Sequence, residues 1–141
     1  MGVKWRAMIF ERLATWWQRL RNRPKNPTLG QQGEAAAARF LRKQGLKIVE
    51  RNWTCPGGEV DVIAREKAVL VFIEVKTRRG GPVTPQEQVN PDKERRVSRA
   101  ADFYLRRWPE EEWPLVRFDI VAVSWPDDDE PQIEWLRDAF V

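Results

Sequence analysis

Asp61, Glu74 and Lys76 are the side chains whose types and spacing point to chemistry. Twelve residues separate the two carboxylates, and the lysine follows the second by two positions. Asp61 sits in the alternating run Gly58-Glu59-Val60-Asp61-Val62-Ile63-Ala64. Glu74-Val75-Lys76 closes the apolar run Val69-Leu70-Val71-Phe72-Ile73, and the polar stretch Arg65-Glu66-Lys67 lies between the two. The pattern predicts two strands joined as a hairpin. Side chains two apart on a strand share a face, so Glu74 and Lys76 project together and Asp61 is able to project toward them from the neighbouring strand. Charges at the rim of a buried sheet are costly unless something uses them. A divalent cation is the obvious user. Mg²⁺ (or Mn²⁺) suits one or two carboxylates completed by water and phosphate oxygens, and it both neutralises a phosphodiester transition state and activates a water. The carbonyl of Val75 would add a neutral ligand. Lys76 is placed to orient or deprotonate that water, or to steady the charged phosphorus. Glu34 is a third carboxylate, beside Gly33, whose missing side chain lets backbone approach closely.

A plainer reading exists. Glu-X-Lys at a strand end is often a solvated edge with a cross-strand ion pair. What argues against it is the company: Asp61 and Glu74 interrupt strands otherwise apolar enough to be buried, where unpaired charges are disfavoured.

The elements that must position these residues can be read in order. Thr28-Leu29-Gly30-Gln31 resembles a capping box, a helix is predicted over residues 31–44, and Gly45 is its expected stop. Residues 46–50 read as a first strand, ending in Arg51-Asn52-Trp53. The hairpin strands 59–64 and 69–76 follow. Residues 77–88 read as a loop, long for a compact domain and so a candidate substrate loop; Gln88 within it is a weak candidate for an additional site residue. Asn90-Pro91 opens a second helix with Asn as N-cap and Pro at its first position; Val97, Ala101, Tyr104, Leu105 and Trp108 form its apolar stripe. Strands are expected at 117–123 and 133–136. The order α-β-β-β-α-β-β predicts an α/β fold, a mixed β-sheet flanked by helices.

Ahead of this body, residues 1–27 form a separate unit by composition. Trp5, Ile9, Leu13, Trp16 and Leu20 recur at helical steps, and residues 1–25 hold seven basic side chains against one glutamate, leaving the remainder of the chain slightly acidic. The high isoelectric point is thus that of a basic, Trp-rich arm on a near-neutral domain, 28–141. Three roles are open to this amphipathic helix: packing on the body, a second copy or another protein, lying on an anionic membrane surface, or touching nucleic-acid backbone.

Composition excludes several chemistries. The 141 residues contain no histidine and one cysteine, which removes Ser-His-Asp and Cys-His catalysis, imidazole-ligated metals and, for Cys55, an internal disulfide or zinc site. No stretch is long and apolar enough to span a membrane, and no secretory signal is evident. A cytoplasmic location is expected, with a lone thiol suited to a reducing compartment.

Taken together the motifs resemble the YraN-type family of bacterial proteins, placed within the PD-(D/E)XK nuclease superfamily near the archaeal Holliday-junction resolvases. The resemblance covers about residues 30–140. It rests on Gly30-Gln31-Gln32-Gly33-Glu34 with Ala35–Ala38, on Arg51-Asn52-Trp53, on Gly58-Glu59-Val60-Asp61-Val62-Ile63, and on Val71-Phe72-Ile73-Glu74-Val75-Lys76-Thr77-Arg78. Val89 with Lys93, Arg117-Phe118-Asp119, and Ile133-Glu134-Trp135-Leu136-Arg137-Asp138-Ala139-Phe140 continue it. The resemblance implies a restriction-endonuclease-like core that binds Mg²⁺ or Mn²⁺ through Asp61, Glu74 and Glu34, with Lys76 assisting. It implies DNA as substrate, branched or otherwise structured, a homodimer, and no nucleotide cofactor. The rival expectation is a nuclease fold kept as an inactive DNA-binding or protein-docking platform. Arg78, Arg79, Lys93, Arg96 and Arg99 are candidate phosphate contacts; for the helical ones the plainer role is a solvated face balanced by Asp92 and Glu94. Asp119 is expected to partner a nearby arginine or a backbone amide. The N-terminal helix lies outside the family pattern and inherits no function from it.

Overall fold

The computed structural model describes residues 26–82, 84, 87, 90–127 and 130–140. The expected N-terminal helix and Gln88 lie outside these residues.

Helix α1 spans Leu29–Lys43. The capping box read from the sequence is present: the Thr28 hydroxyl accepts from the Gln31 amide, and the Gln31 side chain accepts from the Thr28 amide. Gly45 ends the helix at φ 94°, the left-handed conformation that favours glycine. Strands β1 (Lys47–Cys55), β2 (Gly58–Glu66) and β3 (Val69–Arg79) form an antiparallel meander. Helix α2 (Pro91–Leu105) then crosses over to β4 (Leu115–Trp125), which pairs parallel with β3, and β5 (Gln132–Leu136) closes the far edge antiparallel. The five strands lie in the order β1-β2-β3-β4-β5. The predicted α-β-β-β-α-β-β order and mixed sheet are therefore observed.

Among the described residues, each face of the sheet carries one α-helix. Ala37 and Leu41 of α1 pack with Val62, Val71, Ile73, Val75, Val121 and Val123. Val97, Ala100, Ala101, Tyr104 and Leu105 of α2 pack with Val60, Leu70, Phe72 and Ile120. The two residue sets of β3 alternate, as the period of a strand requires. Tyr104 is the keystone on the α2 side, edge-on to both Trp53 and Phe72.

The strands run further than the sequence pattern indicates. β1 reaches Cys55, and β3 continues through Thr77, Arg78 and Arg79, which were expected to begin a loop. The physical reason is the parallel neighbour: β4 offers partners as far as Trp125, opposite Arg79.

Asp119, on β4, is fully buried and fully engaged. It accepts two hydrogen bonds from the Arg117 guanidinium, one from the Trp135 indole and one from the Asp138 amide. Arg117 also reaches Glu66, which Arg137 shares. These hydrogen bonds hold the Arg117 guanidinium above its ordinary value, although burial opposes them. Asp119 thus partners both an arginine and a backbone amide, joining β4 to β5 and to the segment after it.

Candidate metal centre

The β2–β3 ladder runs from Glu66 opposite Val69 to Val62 opposite Ile73 and stops there. One residue further on, Asp61 would face Glu74. Instead of continuing the ladder, the Asp61 carboxylate accepts the Val75 amide through Oδ2 at 2.9 Å. Side-chain oxygen thus replaces main-chain oxygen as the partner of that amide, and the carboxylate is fixed at the point where the strands part.

Glu74 has the parity of Leu70 and Phe72, so it points to the α2 side. It is 0% exposed. Neither of its oxygens accepts a hydrogen bond. Its neighbours are cations instead: Lys76 Nζ stands 2.9 Å from Oε1, and Lys93 Nζ 3.5 Å from the same atom. Lys93 also lies 3.6 Å from Asp61 Oδ2. It enters from the first turn of α2, whose N-terminus is set by the Asn90 side chain accepting from the Lys93 amide.

Glu34 arrives from α1, on the opposite face of the sheet. Burial holds its carboxyl above the ordinary value, and the nearby charge of Asp61 adds to this; a hydrogen bond from Asn52 and the charges of Arg51 and Lys93 oppose it. Asn52 is a site residue to which the sequence pattern assigned no role. Its φ of 50° is left-handed, a conformation asparagine tolerates better than most residues. An asparagine inside an otherwise extended run was the available signal.

Two glycines let the helices close on this corner. A β-carbon at Gly33 would sit 2.0 Å from the Thr77 hydroxyl oxygen and 2.9 Å from Thr77 Cβ. Rotating the threonine cannot relieve a clash with its own Cβ, so α1 would have to move away from β3. A β-carbon at Gly58 would lie 2.3 Å from the Arg96 carbonyl oxygen, so α2 packs backbone to backbone on β2 just below Lys93. Gly33→Ala is accordingly expected to cost about 1–3 kcal/mol in urea unfolding. An unchanged midpoint would show that α1 is not seated by this contact.

The structure thus brings Asp61, Glu74, Lys76 and Lys93 together, with Glu34 behind Asp61. Among the described residues no three acidic, cysteine or histidine side chains are drawn into a preformed cage. The tight set is two carboxylates, and Glu34, engaged by Asn52, is its outlying member. This still fits Mg²⁺ or Mn²⁺, which need only one or two carboxylates, and the fully buried Glu74 is met at Oε1 by lysine ammonium groups without a well-formed hydrogen bond at either oxygen.

The candidate phosphate contacts divide. Lys93 joins the carboxylates. Arg78, at the end of β3, is ion-paired with Glu87 at 2.8 Å, and Arg79 beside it is exposed. Arg96 is exposed and lies 3.8 Å from Glu59. Arg99 stands six residues, about 9 Å along the helix axis, beyond Lys93, in a shallow depression with Glu94, Arg95, Ser98 and Asp102. Arg95 pairs with Asp92, so the outer face of α2 is a balanced one. Among the described residues no helix is long and apolar enough to cross a membrane.

Comparison with known proteins agrees with the motif resemblance. A UPF0102 protein of Rhodococcus opacus (strain B4) is 49% identical over 116 residues, covering 82% of this chain and 98% of its own length. A UPF0102 protein of Geotalea uraniireducens (strain Rf4) is 46% identical over 125 residues, covering 86% and 96%. One from Geobacter sulfurreducens is 43% identical over 116 residues, covering 82% and 90%. The model of the uncharacterised protein family UPF0102 matches residues 33–123, a span that runs from Gly33 to the end of the β4 core and takes in every residue of the carboxylate corner. The chain belongs to this family.

Proposed function

We propose that the protein is a divalent-metal-dependent endodeoxyribonuclease that hydrolyses phosphodiester bonds, with branched or otherwise structured DNA as its substrate. The observation that carries this reading is Glu74: a carboxylate with no exposure and no hydrogen bond, at the end of an apolar strand, beside Asp61 and two lysines. A buried polar group left in this state calls for a ligand or a charge to justify it.

Asp61 and Glu74 would hold Mg²⁺ or Mn²⁺, with Glu34 tuning the charge behind Asp61. The ion, when bound, would lower the pKa of a water and offset the charge that builds on phosphorus. Lys76 keeps its ammonium on the Glu74 side, where it would orient the attacking water or meet the developing charge. Val75 fixes Asp61 by donating its amide to Oδ2, which holds this carboxylate beside Glu74 and Lys93. A DNA binder without a metal would gain nothing from these carboxylates, because they repel phosphate.

The test is purified protein with Mg²⁺ or Mn²⁺ against duplex, flap, single-stranded and four-way substrates. Metal-dependent cleavage is expected, abolished by chelator and reduced at least about 100-fold by Asp61→Ala and by Glu74→Ala. Cleavage that survives both substitutions would refute the site. Absence of cleavage together with absence of metal binding would favour the platform role for this fold.

A further inference from the structure

Resting on that reading, we infer that Lys93 is the resident counter-cation of the metal-free centre, and that a divalent ion binds by exchanging with its ammonium. The two lysines of the corner are not equivalent. Lys76 touches Glu74 alone, at 2.9 Å, with its side chain 15% exposed. Lys93 stands between the two carboxylates at nearly equal distances, 3.5 and 3.6 Å, and is twice as exposed, at 29%. Charge-assisted hydrogen bonds run about 2.7–2.9 Å. Lys93 is therefore held by the combined field of two anions rather than by good hydrogen bonds to either.

That location is where an ion shared by Asp61 and Glu74 would sit. A divalent ion needs carboxylate oxygens at about 2.0–2.1 Å, so it and the ammonium cannot occupy the position together. Lys93 can leave at small cost. Its four-carbon stem rises from the first turn of α2, the side chain already reaches solvent, and an ammonium is readily hydrated. Lys76 cannot serve in this way, since its contact does not include Asp61. The exchange keeps the buried Glu74 charge compensated in both states. It also releases a positive side chain beside the ion, where an anionic phosphate would approach.

The experiment compares the full chain with Lys93→Met and Lys93→Arg, by calorimetric titration with Mn²⁺ and by thermal unfolding in chelator. Methionine keeps the stem and removes the charge; arginine keeps the charge. Lys93→Met is expected to bind Mn²⁺ about tenfold more tightly than the parent, corresponding to about 1.4 kcal/mol, and to unfold at a lower temperature when metal is absent. Lys93→Arg is expected to bind no more tightly than the parent. Parent binding with equal or weaker binding by Lys93→Met would overturn the exchange while leaving the metal centre intact. Failure of parent and variant alike to bind Mn²⁺ would remove both. Circular dichroism of each variant separates loss of the fold from loss of the ion.

Discussion

Asp119→Ala is expected to lower unfolding free energy by about 3–5 kcal/mol, the range for breaking a buried ion pair from one side. Asp119 is 0% exposed and accepts from four donors: Arg117 Nε and Nη2, Trp135 Nε1 and the Asp138 amide. Alanine strands all of them at once. Arg117, only 16% exposed, retains Glu66 but loses its two closest in-sequence contacts. Domains of this kind are stable by about 5–15 kcal/mol in total, so one substitution removes a large share. Asp119→Asn should cost less, since one oxygen remains, but its amide nitrogen would confront a donor. Urea titration measures both variants. A loss below about 1 kcal/mol, the scale of a single hydrogen bond, would mean that the four donors find other partners.

Glu74→Gln is expected to act in opposite directions on function and stability. On the proposed reading, Mn²⁺ binding and DNA cleavage fall at least about 100-fold, because the amide cannot supply the second anionic oxygen. In chelator, the same substitution is expected to stabilise the fold by about 1–2 kcal/mol. The reason is that the Glu74 carboxyl group is 0% exposed with neither oxygen hydrogen-bonded, while Lys76 and Lys93 reach water and lose little when glutamine replaces it. Sites that trade stability for chemistry behave in this way. Calorimetry with Mn²⁺ reads the first arm and urea unfolding in chelator the second. Destabilisation by a similar margin would show that attraction to the two lysines outweighs desolvation of the carboxylate.

The sequence carried the architecture because its signals were local. Thr28 and Gln31 cap α1, Asn90 and Pro91 open α2, and the alternation in β2 and the apolar run in β3 announce the hairpin. Asp119 was legible as an anchor from its place beside Arg117, although the Trp135 and Asp138 donors come from β5 and beyond, where no local pattern reaches. Asp61 and Glu74 stood out as candidates because they interrupt apolar strands, Lys76 because it shares a face with Glu74, and Glu34 because it stands beside Gly33. Their packing was not legible. Nothing in a linear pattern states that β2 leaves β3 at Asp61, that Gly58 seats α2 backbone to backbone, or that Lys93 thereby reaches both carboxylates. Lys93 read as part of a basic helical strip, whereas contact between α2 and β2, set by a missing side chain elsewhere, turned it inward. Strand ends failed for a related reason: Thr77 to Arg79 look like loop until β4 is alongside.

Glu74 rides on the middle strand of five, paired with β4 and standing one residue past the end of the β2 ladder. The unbroken parallel ladder with β4 fixes its backbone. The exposed charges of α2, by contrast, meet other surface charges, Arg95 with Asp92 and Arg96 with Glu59. Mutation can therefore recolour the outer surface of this protein generation after generation, while the acid at its centre stays where the fold has put it.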